Sequence, residues 1–320
     1  MAFQRSRRSL LAASLSAAVL AACGGGDVVS QFTPARIVVF GDGSADLGRT
    51  DAADPAQNRP RYTINDGSIG IWTRQLAARY GLPLASSDAG GSSYAIGNAR
   101  VAAATDAAGN TGTPTIVSQI AAYSPLPSDL VVISAGFSDV IAEARQTQLS
   151  QQTREQGLAD LDAAARQLGE AVAALVQRGA GRVVVTGPYD LSISPWARAT
   201  GQGELLRAYS SRFISSLKVS MVRLGGSVLY LDREDYVNRI YNRPDSYGIT
   251  NVAGRVCTSV DPGPGIGIGE NQVSSALCTP ATLEPSADPA RWLFADAVYL
   301  TPAANRLFGD FAYDTIRRYW

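Results

Sequence analysis

The chain has 320 residues, 46% hydrophobic and 18% charged, which is an ordinary globular composition and argues against disorder as its main character. Its 28 basic and 28 acidic residues cancel, Lys218 is the only lysine, and no basic patch points to nucleic acid. There is no histidine anywhere, so every reaction that needs an imidazole is excluded.

The N-terminus reads as an export signal. Arg5, Arg7 and Arg8 precede an apolar run from Leu10 to Leu20, too short to span a bilayer stably, and small residues follow up to Cys23. Removing residues 1–23 leaves a net charge of −3. Leu20-Ala21-Ala22-Cys23 resembles a bacterial lipobox, which implies lipidation of Cys23 and anchorage to a membrane, with a plain cleaved signal as the alternative. Gly24 after the cysteine favours the outer membrane in a Gram-negative source. Ser6-Arg7-Arg8-Ser9-Leu10-Leu11 is similar to a twin-arginine motif, and the choice between that route and the general one stays open. Residues 24–33 then form a tether, and one domain is expected over 34–320.

Within that domain, short β-branched runs alternate with longer helical patterns. Strands are expected at Arg36 to Phe40, Asp129 to Ser134, Arg182 to Thr186 and Ser227 to Leu231, each nearly continuous in apolar residues as in a sheet buried on both faces. Helices are expected at Ile71 to Tyr80, Gln151 to Arg178, Gly203 to Leu224 and Pro302 to Tyr319. In the second of these, Leu158, Leu161, Ala165, Leu168, Val172 and Leu175 form one stripe. The pattern predicts a three-layer α/β/α sandwich with a central parallel sheet, of the flavodoxin-like kind, whose ligands bind beyond the carboxyl ends of the strands. Cys257 and Cys278 flank a Pro- and Gly-rich loop around Asp261 to Gly265; a disulfide is the economical reading, and a metal site fits poorly with two cysteines and no histidine.

Four segments in order then carry a resemblance. Phe40-Gly41-Asp42-Gly43-Ser44-Ala45-Asp46-Leu47-Gly48 resembles block I of the GDSL/SGNH lipases and esterases, Phe-Gly-Asp-Ser-Leu-Ser-Asp-x-Gly, with Gly43 at the place of the nucleophilic serine. Tyr94 to Arg100 is similar to block II, whose oxyanion-hole glycine corresponds to Gly97 or to the position of Asn98. Val132 to Asp139 is similar to block III, Gly-x-Asn-Asp, with Ser138 in place of the asparagine. Phe294 to Pro302 resembles block V, Asp-x-x-His, with Asp296 kept as the orienting acid and Tyr299 in place of the histidine. The stretch from Tyr236 to Asn251, ahead of Cys257, also looks like the bacterial secreted branch of these enzymes.

The resemblance implies an ester-hydrolase scaffold whose nucleophile, base and one oxyanion donor are replaced. Glycine offers no nucleophile, and no displaced imidazole exists to act as base. Three functional readings follow: an inactive lipoprotein that binds an acylated small molecule, glycan, lipid or protein partner; an active esterase using Ser44 and Asp296; and a structural envelope protein with a filled cleft. Ser44 falls where the family has leucine, so a helix-capping role is the plainer expectation. Tyr299 is read as a filler of the site or as a ligand hydrogen-bond donor, and Asp42 and Asp46 as structural carboxylates of the turn rather than metal ligands. No cofactor and no metal are expected.

Overall fold

The computed structural model describes residues 31–49 and 61–320. The export signal, Cys23 and most of the expected tether lie outside the described residues. Residues 33–320 form a single compact unit.

The core sheet has four parallel strands in the order β1 (Arg36–Gly41), β2 (Asp129–Ser134), β3 (Val183–Thr186) and β4 (Val228–Tyr230). Val39 pairs with Val132, Val132 with Val184, and Val184 with Leu229, so one register line crosses the sheet through fully apolar positions. On its free side β1 is covered by the segment around Ser93: Val39 N–H donates to the Ser92 carbonyl and Tyr94 N–H to the Val39 carbonyl. This pairing leaves β1 without an exposed edge.

Helices cover both faces. One group comprises α1 (Trp72–Arg79), α7 (Arg233–Asn242) and α8 (Pro302–Tyr319), joined by aromatic contacts such as Trp72 with Phe308 and Tyr236 with Phe311. The other comprises α2 (Ile116–Ala121), α3 (Phe137–Gln148), α4 (Arg154–Gln177) and α6 (Gly203–Met221), with the short α5 (Pro195–Thr200) leading into α6. In α4 the expected stripe is buried except at Leu158, which is half-buried, while Gly157 is buried in the same turn with the Tyr209 ring pressed on it. A capping box between Thr153 and Gln156 starts this helix and contributes about 1 kcal/mol.

Beyond the sheet, β5 (Asn251–Arg255) pairs with β8 (Trp292–Phe294), and β6 (Val260–Asp261) with β7 (Gln272–Val273). Cys257 and Cys278 form one disulfide with Cα atoms 5.8 Å apart. It sits in a satellite core with Ile64, Val256, Val273 and Ala295. Among the described residues no helix is long and apolar enough to cross a membrane.

Candidate active site

The loops leaving β1 and β2 are tied together by a buried carboxylate. Asp42 Oδ1 accepts from the Ser44 backbone N–H at 3.0 Å and the Ser44 hydroxyl at 2.7 Å, and Oδ2 accepts from Phe137 N–H, the first residue of α3, at 2.9 Å. Gly136 makes the tight entry into α3 with φ +106°, and a Cβ there would collide with the Phe213 ring. Asp46 plays a similar part. Its Oδ1 accepts from Gly48 N–H at 3.0 Å and Arg49 N–H at 2.7 Å, and its Oδ2 accepts from Gly97 N–H at 2.9 Å. The amide of Gly97 therefore points at a carboxylate.

A second charge faces Asp42 from the start of α7. Arg233, 2% exposed, donates to Ser134 Oγ at 2.9 Å, and Ser134 Oγ lies 2.7 Å from Ser44 Oγ. The Ser44 proton goes to Asp42, so the Ser134 hydroxyl donates to Ser44. A directed line of hydrogen bonds thus runs from a guanidinium through two hydroxyls to a carboxylate. The rings of Trp72, Phe137 and Phe308 surround the guanidinium at 5.3, 5.3 and 4.7 Å. Burial pushes Arg233 down to about 10, opposed by the nearby Asp42, so it stays cationic at neutral pH. Burial also raises Asp42, with the Ser44 bonds and Arg233 acting against it.

Gly43 follows Asp42 in the chain, and its φ is not positive, so its backbone would accept a side chain. The neighbouring rings would not. A Cβ at 43 would lie 2.7 Å from Tyr299 Oη and 3.0 Å from Tyr62 Cδ2. The two tyrosine rings pack at 4.9 Å between centroids, and a Cβ at Gly97 would collide with the Tyr62 hydroxyl. Between them, Tyr62 and Tyr299 occupy the space over both glycines. What remains is a small cavity of about 20 Å3, bordered by Ser44, Tyr62, Trp72, Phe137, Arg233 and Tyr299. That is room for roughly one water molecule.

The other sequence-selected residues are held as follows. Asp296 accepts from the N–H groups of Val298 at 2.7 Å, Tyr299 at 2.6 Å and Ser275 at 2.8 Å, and burial raises its pKa against these bonds. It orders the turn that carries Tyr299, and no hydrogen bond joins it to Ser44. Tyr299 Oη is buried with no hydrogen-bond partner among the described residues, and burial holds its pKa well above the usual phenol value. Ser138 Oγ is likewise buried and without a partner. Asn98, at φ +60°, donates from Nδ2 to the Gly265 carbonyl at 2.9 Å, tying block II to the loop inside the disulfide. Asp139 accepts from Val101 N–H at 3.0 Å and pairs with Arg100, which also holds Glu143; burial pushes Asp139 up to about 6.

The sequence profile of the GDSL-like lipase/acylhydrolase family matches residues 37–311. The chain belongs to this family. No curated protein matches it. Among solved structures it is similar to the inhibitor-bound form of an aryl esterase from M. smegmatis, at 16% identity and a TM-score of 0.43, covering 89% of this chain and 99% of that one. It is also similar to a carbohydrate acetylesterase family member from Sinorhizobium meliloti, at 11% identity and a TM-score of 0.41, covering 89% and 98%.

The family's sequence blocks converge here, since residues 42–46, 97, 137–139 and 296–299 meet at the carboxyl end of the sheet. Sequence reading passes over three participants. Tyr62 lies in no block, Ser134 lies within the third block but at a position with no role assigned to it, and Arg233 is an arginine in an unremarked helix. The only signal for Arg233 is its place directly after β4, where the site of such a sheet is expected.

Proposed function

We propose that this chain is an exported, lipid-anchored member of the GDSL family that no longer hydrolyses esters by the serine route, its former catalytic cleft being closed by its own tyrosines. The observation that carries this reading is the crowding at residue 43, where even one added carbon would meet Tyr299 and Tyr62. A serine nucleophile needs a base beside it, and in this family the base is a histidine; here the corresponding position is Tyr299, and the chain holds no histidine. Loss of nucleophile or base from a triad costs roughly a million-fold in turnover, and the losses do not add. The oxyanion site is weakened as well. Gly97 N–H is engaged by Asp46, and the position of the donor asparagine is Ser138.

Of the readings open at the sequence level, the filled cleft is favoured over an acyl ligand held inside it, because about 20 Å3 admits no acyl group. Catalysis through Ser44 and Asp296 is disfavoured by their bonding. The Ser44 hydroxyl is engaged by Asp42 and Ser134, and both oxygens of Asp296 are engaged by backbone amides. Two experiments test the proposal. Fluorophosphonate labelling and turnover of p-nitrophenyl acetate and butyrate should both be at background. Stoichiometric labelling at Ser44, with turnover lost in Ser44→Ala, would overturn it. Lipidation at Cys23 predicts palmitate incorporation that disappears in Cys23→Ser, and export through an oxidising compartment accounts for the Cys257–Cys278 pair.

A further inference from the structure

A second hollow, of about 220 Å3, shares Ile71 as a wall with the small cavity at Tyr299. Its other apolar walls are Ile69 and Pro302, and Ser68, Gln75 and Arg306 complete the lining with Gly70. Ile69 is unusual for its size in being 43% exposed. Arg306, on the second turn of α8, is exposed and has no ion-pair or hydrogen-bond partner among the described residues. Its helical neighbour one turn on, Asp310, is already taken by Arg79 at 2.6 Å and by Gln75 at 2.8 Å. Among the described residues no carboxylate lines the hollow.

An apolar pocket with one unopposed guanidinium selects for a ligand that is apolar along its body and anionic at one end. A bare inorganic anion would leave Ile69, Ile71 and Pro302 uncovered and gain little from a single exposed arginine. A drug-sized molecule is too large, since such ligands take pockets of about 300–1,000 Å3. A carboxylate suits the planar guanidinium fork, which donates two parallel hydrogen bonds to its oxygens. We propose that this pocket binds a small organic monocarboxylate, its alkyl part against Ile69, Ile71 and Pro302 and its carboxylate on Arg306. The inference does not rest on the absence of hydrolysis, because Ile71 alone is shared with the small cavity at Tyr299.

The test is a calorimetric titration of the exported chain, at constant ionic strength, with the straight-chain acids from acetate to hexanoate and with hexanamide. Affinity should rise about fourfold per added methylene until the pocket is full. Hexanamide should bind more weakly than hexanoate. Arg306→Gln should abolish that preference for the acid while keeping the dependence on chain length, and Ile69→Ser should flatten the dependence on chain length. Both side chains are exposed, so both variants should keep the parent unfolding midpoint. Affinity independent of chain length, equal binding of acid and amide, unchanged binding in either variant, or inorganic phosphate binding as tightly as hexanoate would each overturn the proposal.

Discussion

A serine at position 43 would need space that two phenol rings already hold. Gly43→Ser should therefore lower the unfolding free energy by about 1–3 kcal/mol, as an overpacked core position does. In a Tyr299→Ala background the same change should cost at least about 1 kcal/mol less, because the nearest obstacle is gone. Urea denaturation of the four proteins in this cycle measures the coupling; additive effects would mean that Tyr299 does not occupy the space of that side chain. Asp139 supplies a second test at this scale. Burial raises its folded pKa to about 6, above the ordinary carboxylate value of 3.8, so between those two pH values the native state holds a proton that the unfolded chain has released. Stability from this group is thus present at low pH, falls as pH rises through that window and levels off above it. The groups facing it are Arg100, which opposes the rise, and Asp42, which adds to it. Subtracting the stability curve of Asp139→Asn from that of the parent should isolate this downward slope between about pH 4 and 6. A difference that rises with pH would show that Arg100 outweighs burial.

The two tyrosine-bearing segments are fastened by the same disulfide loop. Asn65 N–H and Nδ2 both donate to the Cys278 carbonyl, at 2.9 and 3.1 Å, and Nδ2 also reaches the Ser275 carbonyl at 3.1 Å, which fixes the strip that begins at Tyr62. Ser275 N–H donates to Asp296, which fixes the turn ending at Tyr299. With a sequence separation of 21 between the cysteines, the cross-link contributes about 3 kcal/mol through loop closure. Cys257→Ser with Cys278→Ser should remove about that much stability and should speed hydrogen exchange at the amides of Asn65, Cys278 and Tyr299 beyond the global effect. Unchanged relative exchange there would mean that the plug is held without the loop. The principal strands and long helices were legible because each carries a strong local signal: β2 and α8 have the bounds expected from their apolar runs and from Pro302, and α4 frays by a few residues at its ends. The helices α3, α5 and α7 were less so: α3 starts at Gly136 with no capping side chain, and α5 and α7, though locally capped by Ser194 and Asp232, are respectively only six residues long and mostly polar. The motif positions at the site were readable as residue types. Their partners were not, because nothing local in Tyr62 or Arg233 records that they fold back onto Gly43 and Asp42.

At the scale of the whole chain, the loops above the sheet could melt as a layer of their own, given that the disulfide region has its own small core. The bonding across the top of the sheet argues otherwise. Arg233 and Asp42 join α7 to the loops after β1 and β2, and Thr63 donates to the Leu300 carbonyl at 3.0 Å. Tyr189 donates to the Val298 carbonyl at 2.5 Å, and Trp196 N–H to the Ala297 carbonyl at 2.9 Å, so the loop after β3 and the turn before α8 are joined as well. Every strand of the sheet thus has its outgoing loop bonded to another, and opening the plug would strip buried partners from several elements at once. A chain starting at Thr33, with its disulfide intact, should therefore unfold in one calorimetric transition. Its van't Hoff and calorimetric enthalpies should agree, and its heat-capacity change should be about 4 kcal/mol/K for a unit of this length. A separate early transition, with the amides of Asn65 and Tyr299 exchanging in it while those of Val132 and Val184 stay protected, would instead make the closing tyrosines part of a layer that opens on its own.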